Sequence, residues 1–344
     1  MSEAPPFWFQ SPGLAAWALA PFGWAYGAVT AKRMGAKPSY TSSLPVMCVG
    51  NLLAGGAGKT PTSLAIAAIA KSMGHTPGFL SRGYGGSVTK PTLVEPGLHN
   101  ARDVGDEPLL LAQTAPTVVA ADRPAGARLL ETLGVDLIIM DDGFQNPALH
   151  KDFSLIVVDA RRGLGNGFVI PAGPMRASLR GQLPIASAVL IIGASDKTAM
   201  VVRQAARMAK PTLSAKLAVR NASVWKGRRV LAFAGIADPQ KFFNTAVAMG
   251  VELVEKRSFP DHGFYSSDDC GQLIQLAERD NLTLLTTTKD AARLKGMGAA
   301  QDLLLKHAHI VQVELEFETP KMVEGLIAET IRKARQHRLA LKAG

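Results

Sequence analysis

The residues best suited to chemistry lie in one short stretch. Gly55, Gly56, Ala57, Gly58, Lys59, Thr60 and Pro61 follow the apolar run VMCVGN (46–51) and lead into the helical alternation TSLAIAAIA. A glycine-rich turn between a buried strand and a helix lets backbone N–H groups converge on phosphate oxygens, and the positive end of the helix dipole adds to their field. Lys59 is placed to reach the outer phosphates, and the Thr60 hydroxyl to ligate Mg²⁺. The common G-x-x-x-x-G-K-[ST] spacing is not met, because Leu53 stands at its first glycine. The loop is instead the double-glycine form of a divergent branch of phosphate-loop proteins.

Phosphate held beside a metal calls for a carboxylate at the end of a neighbouring buried strand. DLIIMDDGFQ (136–145) supplies Asp141 and Asp142. Adjacent residues on a strand face opposite sides, so both can serve one position only where the strand has already ended. The pair reads as one Mg²⁺ ligand and one carboxylate that orients a loop or a second partner. DVGDEP adds Asp103, Asp106 and Glu107 before a helix. This is either an N-cap with acids in the first turn or a source of a carboxylate that accepts a proton from an attacking hydroxyl. His262, in the polar loop FPDHGFYSSDD, reads by itself as a solvated histidine.

The elements that position these residues alternate. Short apolar runs at 46–51, 77–82, 117–121, 136–142, 154–160 and 188–193 are separated by helical patterns, as in a parallel sheet with crossover helices. A second series follows at 228–235, 251–257, 282–288 and 309–317. Residues 211–227 read as a connection. The fold class is α/β, a phosphate-loop NTPase-like domain with a mostly parallel sheet flanked by helices, plus a smaller C-terminal α/β domain. The expected division is an N-terminal segment at 1–35, a kinase-type domain at 36–215, a linker at 216–227 and a smaller domain at 228–344.

At 344 residues and 47% hydrophobic content the chain exceeds one compact core, while 19% charged residues argue against disorder. Two cysteines, Cys48 and Cys270, suit a reducing compartment and are too few for a structural zinc site. A net charge of +10 implies an anionic partner: nucleic acid, an acidic membrane or a phosphorylated substrate. The N-terminus favours the membrane. No charge interrupts residues 4–31, and three of the four tryptophans fall within the first 24 residues, ahead of Lys32 and Arg33. Pro12 and Pro21 and the abundance of Ala and Gly argue against a spanning helix, and the late basic residues against a cleaved signal peptide. The segment reads as an interfacial anchor, its alternative being a helix packed on the protein's own core. The basic C-terminal stretch IRKARQHRLALK reads as a solvated surface helix or an addition to the membrane-facing side.

The ordered motifs VGNLLAGGAGKTP (49–61), LSRGYGG (80–86), GDEP (105–108), DDGFQ (141–145), VVDARRGLGNGFVIPAGPMR (157–176), AGIADPQKFF (234–243) and FPDHGFYS (259–266) resemble the tetraacyldisaccharide 4'-kinase family over nearly the whole chain. The resemblance implies ATP and Mg²⁺, and transfer of the γ-phosphate to the 4'-hydroxyl of an acylated glucosamine disaccharide phosphate in lipid A biosynthesis. It also implies peripheral attachment at the cytoplasmic face of the bacterial inner membrane. It makes Asp106 the catalytic base with His262 as its partner, and keeps Lys59 on the phosphates and Thr60, Asp141 and Asp142 at the metal. Arg82, Glu107, Arg123 and Gln145 fall at family positions near the cleft. Nothing in it implies nucleic acid or a protein partner.

Three positions depart from the family pattern: Asn146 stands where histidine is frequent, and Ala177 and Thr288 where glutamate is frequent. A nucleotide-dependent switch ATPase is the rival reading of the loop, and Ala54 at the position of that class's extra lysine weighs against it. A nucleic-acid module would need aromatics along a basic groove, whereas the aromatics cluster at the N-terminus.

Overall fold

The computed structural model describes residues 4–343; the first three residues of the expected N-terminal segment and the last of the C-terminal one lie outside it. Nine strands form the larger sheet: β1 (Val46–Asn51), β2 (Pro77–Ser81), β3 (Thr92–Leu93), β4 (Thr117–Val119), β5 (Leu137–Asp141), β6 (Phe153–Asp159), β7 (Ala188–Ile192), β8 (Thr212–Val219) and β13 (Val313–Phe317). Their order is β13-β8-β7-β6-β1-β5-β2-β4-β3, parallel except for the two edge strands β3 and β13. The smaller sheet is all parallel, in the order β10-β9-β11-β12, from β9 (Arg229–Ala234), β10 (Glu252–Ser258), β11 (Thr283–Thr287) and β12 (Ala308–Val311).

The helices are α1 (Leu14–Met34), α2 (Lys59–Ser72), α3 (Ala101–Val104), α4 (Asp106–Ala112), α5 (Arg123–Glu131), α6 (Leu179–Gln182), α7 (Ala199–Arg207), α8 (Pro239–Ala248), α9 (Ser267–Arg279), α10 (Thr288–Leu294), α11 (Ala299–His307) and α12 (Pro320–Ala343). The central strands are apolar on both sides because both faces of the sheet are covered. Val46, Cys48, Ile138 and Met140 pack on one face with Met34 of α1 and Val201 of α7. Met47, Val49, Leu137 and Ile139 pack on the other with Ile66 of α2 and Ile327 of α12.

The expected division of the chain is corrected at three points. The run 309–317 is two strands, not one: β12 ends the small sheet, and β13 pairs antiparallel with β8 in the large one. The residues given to the smaller domain therefore include β13 and α12, which belong to the larger body. Residues 212–219, expected as connection and linker, form β8, and only a single turn at Ala222–Trp225 intervenes before β9. The first difference has a plain cause. An apolar alternation identifies a strand but not its sheet, and the chain crosses between sheets at Gln312 within an unbroken β pattern. α12 packs through Val323, Leu326 and Ile327 on the face opposite α1, so it is not an addition to the α1 side.

α1 is a continuous helix despite Pro21. Its narrow inner stripe is Ala16, Ala20, Gly23 and Gly27, and the last two lie against Val169. Trp17, Phe22 and Trp24 point outward, each more than half exposed at 58, 66 and 65%. No helix among the described residues is long and apolar enough to cross a membrane.

Candidate active site

β1 and β5 run side by side and deliver their C-terminal ends to one edge of the large sheet, where parallel α/β proteins gather ligands. At the end of β1, a Cβ on Gly50 would lie 2.3 Å from that of Phe144, so only glycine lets the DDGF turn sit against this strand. The chain then loops through Gly55 and Gly58, both at positive φ (97° and 86°), and enters α2 at Lys59. Asn51 Nδ2 donates to Gly55 O at 3.0 Å and Lys59 Nζ to the same carbonyl at 3.4 Å, which fixes the curl of the loop. Arg176 Nε closes it from outside by donating to Leu53 O at 3.1 Å.

The two aspartates separate because the strand ends between them. Asp141 is the last residue of β5 and fully buried; Thr60 Oγ1 and Ser63 Oγ donate to it at 3.1 and 2.9 Å. Asp142 adopts a left-handed φ of 54°, which turns it toward Lys59 Nζ at 3.7 Å and Arg176 Nη2 at 3.5 Å. The environments push the pair apart. Burial, with the Glu107 carboxylate nearby, raises Asp141 to about 7. For Asp142, burial is outweighed by Lys59, Arg176 and Arg123, and the carboxyl is held below its ordinary value. Asn51 Oδ1 and Asp142 Oδ1 are buried without a hydrogen-bond donor. The Thr60 and Ser63 hydroxyls and the Asp141 carboxylate, with the unpartnered Asn51 amide oxygen at the start of the loop, are all oxygen donors of the kind that fits a hard cation such as Mg²⁺, whose charge would lower the proton affinity of Asp141.

The second part of the site spans the two sheets. Asp106 opens α4 behind Gly105 and is 4% exposed. Its Oδ1 accepts from the Glu107 backbone N–H at 2.9 Å and lies 3.3 Å from His262 Nδ1. Its Oδ2 accepts no hydrogen bond, and the nearest cation is Arg293 Nε at 3.5 Å. His262 reaches this position through a left-handed φ of 56° in the loop after β10 and rests edge-on against Tyr84. Burial alone would raise Asp106, but the His262 hydrogen bond and the charges of Lys289, His262 and Arg293 hold it well below the usual carboxylate range. The same hydrogen bond raises His262, against a smaller opposing effect of burial.

Of the remaining expected residues, Glu107 pairs with Lys289 across the sheets. Arg123 is buried at the first turn of α5, where it donates to Ala120 O at 2.5 Å and to Asp142 O at 3.3 Å. Gln145 donates to Asn51 O at 2.7 Å and to Gln182 Oε1 at 3.1 Å, stitching the turn to the loop. Arg82 is exposed at the end of β2. At the departures from the family pattern, Asn146 caps the Ala148 N–H, Ala177 is fully buried, and Thr288 opens α10.

Sequence reasoning missed Lys289 and Arg293. Arg293 Nη2 donates to Gly235 O at 2.6 Å and to Asp290 Oδ1 at 2.7 Å, and its Nη1 to Gly263 O at 3.1 Å. It thereby ties β9, α10 and the His262 loop together beneath Asp106. The signal was the run TTTKDAARL, in which Lys289 and Arg293 are one helical turn apart. Also missed were the ion pairs that join the sheets through AGIADPQKFF: Lys241 with Asp159 at 2.7 Å, and Asp238 with Arg161 and with Arg162.

The family model described as Tetraacyldisaccharide-1-P 4'-kinase matches residues 15–332. A tetraacyldisaccharide 4'-kinase of Allorhizobium ampelinum is 48% identical over 342 residues, spanning 98% of this chain and 99% of the relative. One from Rhizobium meliloti is 47% identical over 340 residues, covering 98% of each. The crystal structure of LpxK from Aquifex aeolicus in complex with ATP superposes with a TM-score of 0.70 at 24% identity, covering 92% of this chain and all of that one.

Proposed function

Since the chain belongs to the tetraacyldisaccharide 4'-kinase family, phosphotransferases that move the γ-phosphoryl group of ATP to the 4'-hydroxyl of tetraacyldisaccharide 1-phosphate in lipid A biosynthesis, we propose the following division of labour among its residues. Asp106 accepts the proton of the attacking hydroxyl. His262 orients Asp106 and shares its charge. Lys59 and the backbone of residues 55–60 hold the transferred phosphates. Thr60 and Asp141 are the residues that would hold Mg²⁺, which when bound neutralises charge developing on the phosphates. Asp142 fixes Lys59 and Arg176 rather than sharing the metal.

The observation that carries this reading is Asp106 itself: a carboxylate with one oxygen fully engaged and the other buried and without a hydrogen bond, beside His262 and Arg293 from the opposite sheet. Its depressed proton affinity keeps it ionised, hence able to accept, throughout the physiological range. A strong base is not required, because in a loose phosphoryl-transfer transition state the hydroxyl loses its proton late. His262 and Arg293 arrive from the small sheet while the phosphate loop is on the large one. Asp106 lies on the large sheet with the loop, so it is oriented and charge-paired only when the sheets are together, which limits transfer of phosphate to water.

The exposed aromatic face of α1 supports a second element of the proposal, that this helix lies in the headgroup region at the cytoplasmic face of the inner membrane with Lys32 and Arg33 toward acidic lipid. The test of the site assignment is transfer of label from ATP radiolabelled in its γ-phosphate to the lipid disaccharide in mixed micelles. Lys59→Ala and Asp106→Asn should each lose transfer by about 10²-fold or more. Transfer by Asp106→Asn at near wild-type rate would remove Asp106 from the role.

A further inference from the structure

A cleft of about 560 Å³ opens between α6 and α7, on the same face of the large sheet as α1. Its floor is apolar, formed by Leu183, Met200 and Met208, with Met200 61% exposed. Arg180, Arg203 and Arg207 stand around it, and none of the three makes an ion pair or a side-chain hydrogen bond among the described residues. The chemistry required of an occupant is thus an anion attached to an apolar body.

Two further observations narrow it. A Cβ on Gly181 would touch that of Ala31 at 3.4 Å, so the cleft adjoins the end of α1 that carries Lys32 and Arg33. The charge is also strongly local. From Ala160 to Ala237 the chain has thirteen lysines and arginines and one acid, Asp196, so this segment accounts for all of the net positive charge of +10. Unpaired arginines repel one another, and an apolar floor left open to water is unfavourable. Both costs are relieved when an acidic amphiphile sits there.

We propose that the α6–α7 cleft binds the headgroup of an acidic membrane phospholipid, its phosphate among Arg180, Arg203 and Arg207 and its glycerol and upper acyl carbons on Leu183, Met200 and Met208. The proposal rests on the reading that α1 lies on the membrane. In that pose the cleft meets the bilayer at headgroup depth beside the helix, so α1 supplies attachment to any bilayer and the cleft supplies preference for acidic ones.

The experiment is co-sedimentation of the full chain with vesicles of phosphatidylcholine alone and with vesicles containing phosphatidylglycerol. The proteins compared are wild type, Arg180→Gln/Arg203→Gln/Arg207→Gln, a charge-matched control Lys256→Gln/Lys306→Gln/Lys321→Gln, and Trp17→Ser/Phe22→Ser/Trp24→Ser. Wild type should prefer acidic vesicles, and the arginine variant should lose about tenfold or more of that preference while binding neutral vesicles unchanged. The control should keep most of the preference. If the control loses as much, diffuse surface charge explains the effect and the cleft proposal fails. The aromatic variant should lose binding to neutral vesicles; if it does not, the α1 reading fails on its own. Acceptor KM measured in neutral detergent without phospholipid should be unchanged in the arginine variant, which also shows that it is folded. A severalfold rise there would make the lipid acceptor the occupant and overturn the proposal.

Discussion

His262 Nδ1 lies 3.3 Å from Asp106 Oδ1, although one residue belongs to a loop of the small sheet and the other opens a helix of the large one. The contact makes the chemistry of Asp106 conditional on the packing of the two sheets. Several measurable consequences follow from the neighbours that enforce it.

The first is a pH signature in stability. His262 has a folded-state pKa raised above its ordinary 6.5, so its contribution is fully present below that value and is lost as pH rises through the raised one. Asp106 has a folded-state pKa below its ordinary 3.8, so its contribution is present above that value and is lost as pH falls through the depressed one. The two windows overlap between about pH 4 and 6.5. The gap in urea midpoint between wild type and His262→Asn should be widest there and shrink toward pH 9. A gap that stays constant from pH 5 to 9 would mean the pair carries no net charge interaction.

Arg293 is a positioning residue in this account. It grips Gly235 and Gly263 and holds a positive charge 3.5 Å from Asp106 Oδ2. A lysine keeps the charge but cannot span two carbonyls and a carboxylate. Arg293→Lys should lower kcat about tenfold or more with little change in KM for ATP. Arg293→Gln should in addition move the acid limb of the kcat/KM profile to higher pH, because Asp106 loses a cation. Loss of stability with kcat and the pH profile unchanged would reduce the residue to scaffolding.

The environment of Asp141 makes a separate prediction about the metal. Buried and raised to about 7 beside Glu107, it is a carboxylate that a bound cation would favour in ionised form. Asp141→Asn should raise the Mg²⁺ concentration for half-maximal activity by about tenfold or more, while wild type with excess chelator should be inactive. Asp142→Asn should affect ATP affinity more than Mg²⁺ dependence, since Asp142 faces Lys59 and Arg176. Equal shifts in Mg²⁺ dependence for both variants would put both carboxylates on the metal.

Much of this was legible in the chain, for reasons that differ by element. The phosphate loop and the DD turn are local: glycines, Lys59 and the end of an apolar strand define each other within about twenty residues, and their geometry followed the spacing. The fold class was equally readable, because strands buried on both faces are continuous apolar runs. What spacing could not supply was any contact between sheets. Asp106 read equally well as a helix-capping acid, His262 read as solvated, and only the family resemblance joined them. Lys289 and Arg293 went unnoticed because cations on a helix ordinarily face solvent, and burial of Arg293 depends on partners from three separate segments. The change of sheet at Gln312 was invisible for a related reason: β pattern records the burial of a residue and not the identity of the strand beside it.

The most direct test of the account is a double-mutant cycle on kcat/KM for phosphoryl transfer with Asp106→Asn, His262→Gln and the combined variant. If His262 acts only through Asp106, the double variant should be no slower than Asp106→Asn alone, the pattern of residues that work as a unit. Losses that multiply, each variant slowing the reaction independently of the other, would contradict the assignment and give His262 a task of its own.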